Sequence, residues 1–183
     1  MSLLTLFHAA GLEIPSPDIH YGRKNADFAQ GFYTSDSREF AVRWAPQGKG
    51  ITAYLNRYEL DTEGLEVRKL ERDKEWFAYI FRNRTGYADL YPEADVIIGP
   101  IANDTLFDTF GVLTSGMLTE DQALAVLLNG PLYEQIVIKT EKAASRLAFK
   151  GAEKLEKTEI DKEREAVKQE EAEFQALFAK LIV

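Results

Sequence analysis

From Ala152 to Lys180 the chain contains neither glycine nor proline, and Glu, Lys and Ala dominate. A stretch of that length and composition has one regular conformation open to it, a long α-helix, because its residues lose little side-chain freedom there and none breaks the hydrogen-bond ladder. The 183-residue chain therefore divides at Gly151. Residues 1–150 must supply the globular domain, and residues 151–183 a charged C-terminal helix.

The helix is not a regular coiled coil. Ile160, Val167, Phe174 and Leu181 recur every seven residues, but the other core position of the heptad holds Glu163 and Glu170 before Leu177. A coiled coil needs both positions apolar over several heptads. The apolar stripe is narrow, and only Phe174 to Val183 is strongly apolar. Three destinations stay open for it: the chain's own domain, a second copy in a homodimer, or a partner protein.

The body alternates strand-like and helix-like segments. Leu3–His8 reads as a strand, and residues 9–30 as a loop broken by Gly11, Pro15, Pro17 and Gly22. Gly31–Thr34 is a short strand. Asp36-Ser37-Arg38-Glu39 reads as a capping box with Asp36 as N-cap, opening a helix that stops before Pro46. Strands follow over 51–60 and 65–70, then a helix over 73–83 with Trp76, Phe77 and Ile80 on one face. Residues 95–100 form a buried strand, 104–113 and 119–128 helices, 134–139 a strand, and 140–149 a short helix or turn. Trp44, Trp76 and Phe77 are expected in the core. This order implies a compact α+β domain.

Composition removes several function classes. The net charge is −8, and the isoelectric point near 4.9 argues against broad contact with a phosphate backbone. A small basic cleft stays open, since Arg23, Lys24, Arg38 and Arg43 lie close in sequence. With no cysteine and only His8 and His20 as imidazoles, a structural metal site is not expected; Asp18 and His20 lack a third ligand. No signal peptide and no membrane-spanning run is read, so the expectation is a cytoplasmic protein.

Two segments near the start carry chemistry when taken together. Leu3-Leu4-Thr5-Leu6-Phe7-His8 is an apolar strand closed by a histidine. Asp27-Phe28-Ala29-Gln30-Gly31-Phe32-Tyr33-Thr34-Ser35 places a tyrosine inside a Gly-aromatic-Tyr strand. Cleaving the N-glycosidic bond of NAD needs such groups: a donor or acceptor for a ribose hydroxyl, a flat wall for the nicotinamide, and a group near the ribose where positive charge develops.

With Asp95–Asp104 and Glu134–Ala143, these segments resemble a bacterial family, DUF3990, grouped with the ADP-ribosyltransferase fold. The resemblance covers residues 4 to about 149. It implies an ADP-ribosyltransferase-like split β-sandwich with flanking helices, and a cleft lined by strands 3–8, 31–34 and 134–139. It also implies a His-Tyr-Glu type of site. His8 and Tyr33 match its first two members. The third is Glu134 or Gln135, of which only one can face the ribose because neighbours on a strand point to opposite faces. Glu134, Gln135, His8 and Tyr33 are thus the candidate catalytic residues, and His8, Ala9, Arg23, Phe32 and Tyr33 the candidate NAD contacts. Ala9 and Ala29 stand where the family usually has glycine. The implied activity is transfer of ADP-ribose from NAD, without metal, to an unknown acceptor, expected to be a protein. The implied setting is an intracellular toxin or an effector delivered into a host cell. The alternative is a catalytically silent module that engages a protein partner through its C-terminal helix.

Overall fold

The computed structural model describes residues 3–102 and 133–182. Two sheets form the body. In the first, β3 (Tyr54–Asp61) lies between β1 (Leu3–Ala10) and β7 (Leu147–Lys154). In the second the order is β2 (Phe32–Thr34), β6 (Glu134–Ile138), β5 (Val96–Pro100), β4 (Val67–Lys69), with β4 and β5 parallel. Four helices are described: α1 (Arg38–Arg43), α2 (Lys74–Arg84), α3 (Glu141–Ala144) and α4 (Lys157–Ile182). The chain is thus a mixed α+β structure with two sheets and a long C-terminal helix. The helices expected over 104–113 and 119–128 fall outside the described residues.

The alternation of side chains along each strand explains the packing. From the first sheet Leu6, Tyr58 and Leu60, and from the second Phe32, Val96, Ile136 and Ile138, share one buried cluster, so the sheets face each other across it. The intervening residues Ile97 and Val137 point the other way and pack with Phe28, Trp76, Tyr79 and Ile80 of the loop and α2. Both faces of β5 and β6 are therefore buried, which is why they read as continuous apolar runs. A third cluster joins α1 (Ala41, Val42) to Ala9, Leu55, Leu155 and Ile160, and fixes the start of α4 to the first sheet.

The sheets are tied at one point. Phe7 and Ser35 exchange two backbone hydrogen bonds of 2.8 and 3.0 Å, forming an isolated bridge between β1 and the end of β2. This bridge holds His8 and Tyr33 side by side although they belong to different sheets.

Three local expectations are corrected. The N-cap of α1 is Ser37, whose hydroxyl accepts the Phe40 N–H; Asp36 lies one residue outside. Residues 147–154 are a strand, and α4 begins at Lys157 rather than near Ala152. Glu153 and Lys154 have the composition of a helix, yet they pair with Leu55 and Tyr54 of β3. The open edge of β3 overrides local propensity. Trp44 is not core. It caps α1 and is 36% exposed at the edge of a cleft.

Candidate functional site

Where the two sheets part, a cleft of about 780 Å³ opens. His8 and Ala9 reach it from β1, Tyr33 from β2 and Gln135 from β6, so residues far apart in sequence converge on one wall. α1 and its C-cap contribute Arg43 and Trp44, α2 contributes Arg84, and α4 contributes Val167, Glu170 and Glu171.

His8 has a defined tautomer. Its Nδ1 lies 2.7 Å from the Tyr33 carbonyl oxygen. A carbonyl can only accept, so Nδ1 carries the proton and, in the neutral ring, Nε2 is an acceptor. Burial lowers the His8 pKa, and the bond to the Tyr33 carbonyl offsets this only in part. The ring is therefore neutral near pH 7. It rests 4.6 Å from the Phe32 ring. The backbone at His8 is also held: buried Asn56 donates to the carbonyls of His8 (3.3 Å) and Leu12 (3.1 Å), and accepts the Ile14 N–H (2.7 Å).

The Tyr33 hydroxyl is already committed. It donates to the Ala29 carbonyl at 2.7 Å and accepts the Phe28 N–H at 2.9 Å. Burial, its largest influence, pushes the phenol pKa well above the usual range, so it stays protonated. Its two bonds staple a turn in which Ala29 has φ 63°. That left-handed conformation favours glycine, yet the chain carries alanine there.

β6 separates its two candidates. Gln135 shares the face of Val137, lines the cleft and is 7% exposed. Its side-chain amide makes no hydrogen bond among the described residues, so a ligand finds a donor and an acceptor there. Glu134 is outside the cleft lining. Its carboxylate pairs with Lys69 at 3.0 Å and helps raise the pKa of Asp36, for which burial is the larger cause. Phe32, one residue from Tyr33, faces the core between the sheets and bears on the cleft only through the His8 ring. Arg23 lines the cleft and is exposed; Lys24 is absent from its walls, and Arg38 turns away to pair with Glu153 and Glu159.

Asp27, Arg84 and Tyr133 were not singled out by sequence, and Arg43, read there as part of a possible basic cleft, has partners the sequence did not disclose. Asp27 and Arg84 form a nearly buried pair, Nε to Oδ1 2.6 Å, and Asn83 donates to the Asp27 carbonyl. The Arg43 guanidinium meets Glu170 in a two-pronged pair at 2.8 and 2.9 Å. It also donates to Tyr133 Oη at 2.9 Å and lies 4.5 Å over the Tyr133 ring. Burial works to lower the Arg43 pKa, but Glu170, with Tyr133 and Glu163, outweighs it and the net shift is upward. The signal was present as the run Arg38 to Arg43 and the two glutamates interrupting the helical stripe, but nothing in the sequence paired them.

Asp18 accepts the backbone N–H of His20, which makes a turn of that pair. Among the described residues no group of three or more His, Asp or Glu side chains is placed to hold a metal ion. No helix among them is long and apolar enough to cross a membrane.

One family pattern, described as "Protein of unknown function (DUF3990)", matches residues 4–149. No curated protein and no solved structure matches the chain significantly. The family match takes in β1 to β6, and with them His8, Tyr33 and Gln135, and leaves α4 outside. The chain belongs to the DUF3990 family.

Proposed function

We propose that this cleft binds NAD and transfers its ADP-ribose unit to a macromolecular acceptor, in an ADP-ribosyltransferase-like fold. The observation that carries the reading is the convergence of His8, Tyr33 and Gln135, from three separate strands, on one cleft. In the reaction the bond between ribose C1′ and the nicotinamide nitrogen breaks, and its electron pair leaves with neutral nicotinamide. A lone pair of the acceptor then bonds C1′, and the acceptor's proton passes to solvent or a base.

Each residue has a part suited to its surroundings. Neutral His8 offers Nε2 to a ribose hydroxyl, while Nδ1 is held by the Tyr33 carbonyl. The Tyr33 ring, fixed by its hydroxyl, forms a flat wall for nicotinamide. Gln135 can accept from the ribose 2′-hydroxyl, but its amide lacks the full negative charge that a carboxylate brings to an oxocarbenium-like ribose. Turnover is therefore slow by this account. A second reading has its own support: Glu170 and Val167 of the chain itself occupy one side of the cleft, as they would in a silent binding module. The acceptor class and a toxin or effector role belong to the proposal.

Incubation with NAD labelled in the adenosine half, with and without lysate proteins, tests it. Nicotinamide release and label transfer are expected, and Gln135→Glu should raise release, by as much as about 10²-fold. NAD binding without release in either protein favours the silent module. Absence of NAD binding defeats the enzymatic reading and leaves a silent module that engages a protein partner.

A further inference from the structure

Helix α4 is held to the body in two different ways. Up to Arg164 the hold is extensive: Ile160 is buried, Arg38 pairs with Glu159, and Arg164 donates to the Ala45 carbonyl at 2.9 Å. Beyond Arg164, the polar contacts from α4 to the body among the described residues all come from Glu170, to Arg43 and Tyr133. That pair lies in the cleft. The Arg43 side chain is 7% exposed and that of Glu170 28%.

Arg43 is prepared for an anion. Its planar fork is set by the Tyr133 hydroxyl and by stacking on the Tyr133 ring, and such a fork fits a phosphate as well as a carboxylate. A buried guanidinium short of counter-charge would be costly; Glu163 stands 3.9 Å from Arg43 Nε, but the hydrogen-bonding fork itself is filled by Glu170 in the empty cleft. Arg84 is engaged by Asp27, and Arg23 is an exposed loop residue. We propose that Arg43 is the phosphate-receiving residue of the cleft and that Glu170 holds its place, so that a pyrophosphate-bearing ligand displaces Glu170 and releases α4 beyond Arg164 from the cleft. That the natural ligand is NAD rests on the reading of the preceding section; the exchange of one anion for another does not.

The test uses the full chain and inorganic pyrophosphate, titrated calorimetrically into wild type, Glu170→Gln and Glu171→Gln. Glu171 lines the same cleft and loses the same charge, but makes no ion pair among the described residues. Removing the resident acid should tighten pyrophosphate binding by about ten-fold or more, whereas Glu171→Gln should stay within about two-fold of wild type. Saturating pyrophosphate should also speed amide hydrogen exchange in residues 165–173 of the wild type and leave 157–164 protected; this arm needs no variant and decides the matter if Glu170→Gln does not fold. Equal affinities for the two variants, unchanged exchange in α4, or no pyrophosphate binding by folded Glu170→Gln would each overturn the proposal. A parallel NAD titration separates it from the functional reading. NAD affinity insensitive to Glu170→Gln removes the latch alone, and pyrophosphate exchange without NAD binding removes NAD alone.

Discussion

At the scale of single residues, Tyr33 holds the loop that frames the cleft. Its hydroxyl joins the Phe28 N–H to the Ala29 carbonyl across a left-handed turn. Tyr33→Phe keeps the ring but leaves both backbone groups without that partner, and should cost about 1–3 kcal/mol of folding stability in chemical denaturation. A stability change under about 0.3 kcal/mol would show that the staple is idle. Sequence reasoning assigned Tyr33 to stacking alone, because hydrogen bonds to a turn four and five residues earlier leave no mark in residue type. The pH response of His8 follows from its lowered pKa. The unfolded chain takes up the proton near pH 6.5 while the folded chain does not. Between the folded value and about 6.5 the unfolded state therefore binds more protons, and stability rises with pH. This contribution is complete above about pH 6.5 and is lost as pH falls below it. The melting temperature should drop between pH 7 and pH 5 in the wild type, and drop less in His8→Gln. Parallel curves would place the imidazole in a setting that does not disfavour its charge. The buried carboxylate of Asp95 acts lower. Burial opposes its ionisation, but Lys142, Thr140 and the Glu66 N–H pull it down to about 2, so its support is lost progressively as pH falls through the ordinary aspartate range, about 3.9, towards about 2.

At the scale of elements, α1 is short, and its cap matters in proportion. Ser37 accepts the Phe40 N–H, and Asp36 stands outside the helix. Ser37→Ala should cost about 1 kcal/mol, and Asp36→Ala far less; the reverse order would restore the capping box read from sequence. Neighbouring Asp and Ser are both good N-caps, so residue type could not choose between them. The strand β7 was hidden for a different reason. Its burial alternates weakly, and Lys150, Glu153 and Lys154 are charges of the kind that protect an edge strand. Read locally they continue the helix, and only β3 as a partner reveals the strand. The same holds for α4. Glu163 and Glu170, which spoil the heptad, both face Arg43. What reads as a defective coiled coil is a helix face matched to a buried arginine more than a hundred positions away. The side chains of Phe174, Leu177, Phe178, Leu181, Ile182 and Val183 at the apolar end lie outside the described residues.

At the scale of the whole molecule, β1 to β6 were legible as apolar runs set off by turn residues, which are local signals, whereas the meeting of His8 with Tyr33 was implied by the family resemblance. The choice between Glu134 and Gln135 was not legible. It depends on register: Tyr33 pairs with Val137, so Val137 and Gln135 share the cleft face of β6, and Glu134 falls on the other. The two-sheet arrangement then brings β1, β2 and β6 together at one end and lets α1, α2 and α4 close the rest. We propose that this end is an NAD site read by Gln135. Calorimetric titration of NAD into wild type, Gln135→Ala and Glu134→Ala tests it most directly. Saturable binding is expected, weakened about ten-fold or more by Gln135→Ala, as for loss of a buried polar contact, and left within about two-fold of wild type by Glu134→Ala. No binding to the wild type, or a loss confined to Glu134→Ala, would contradict it.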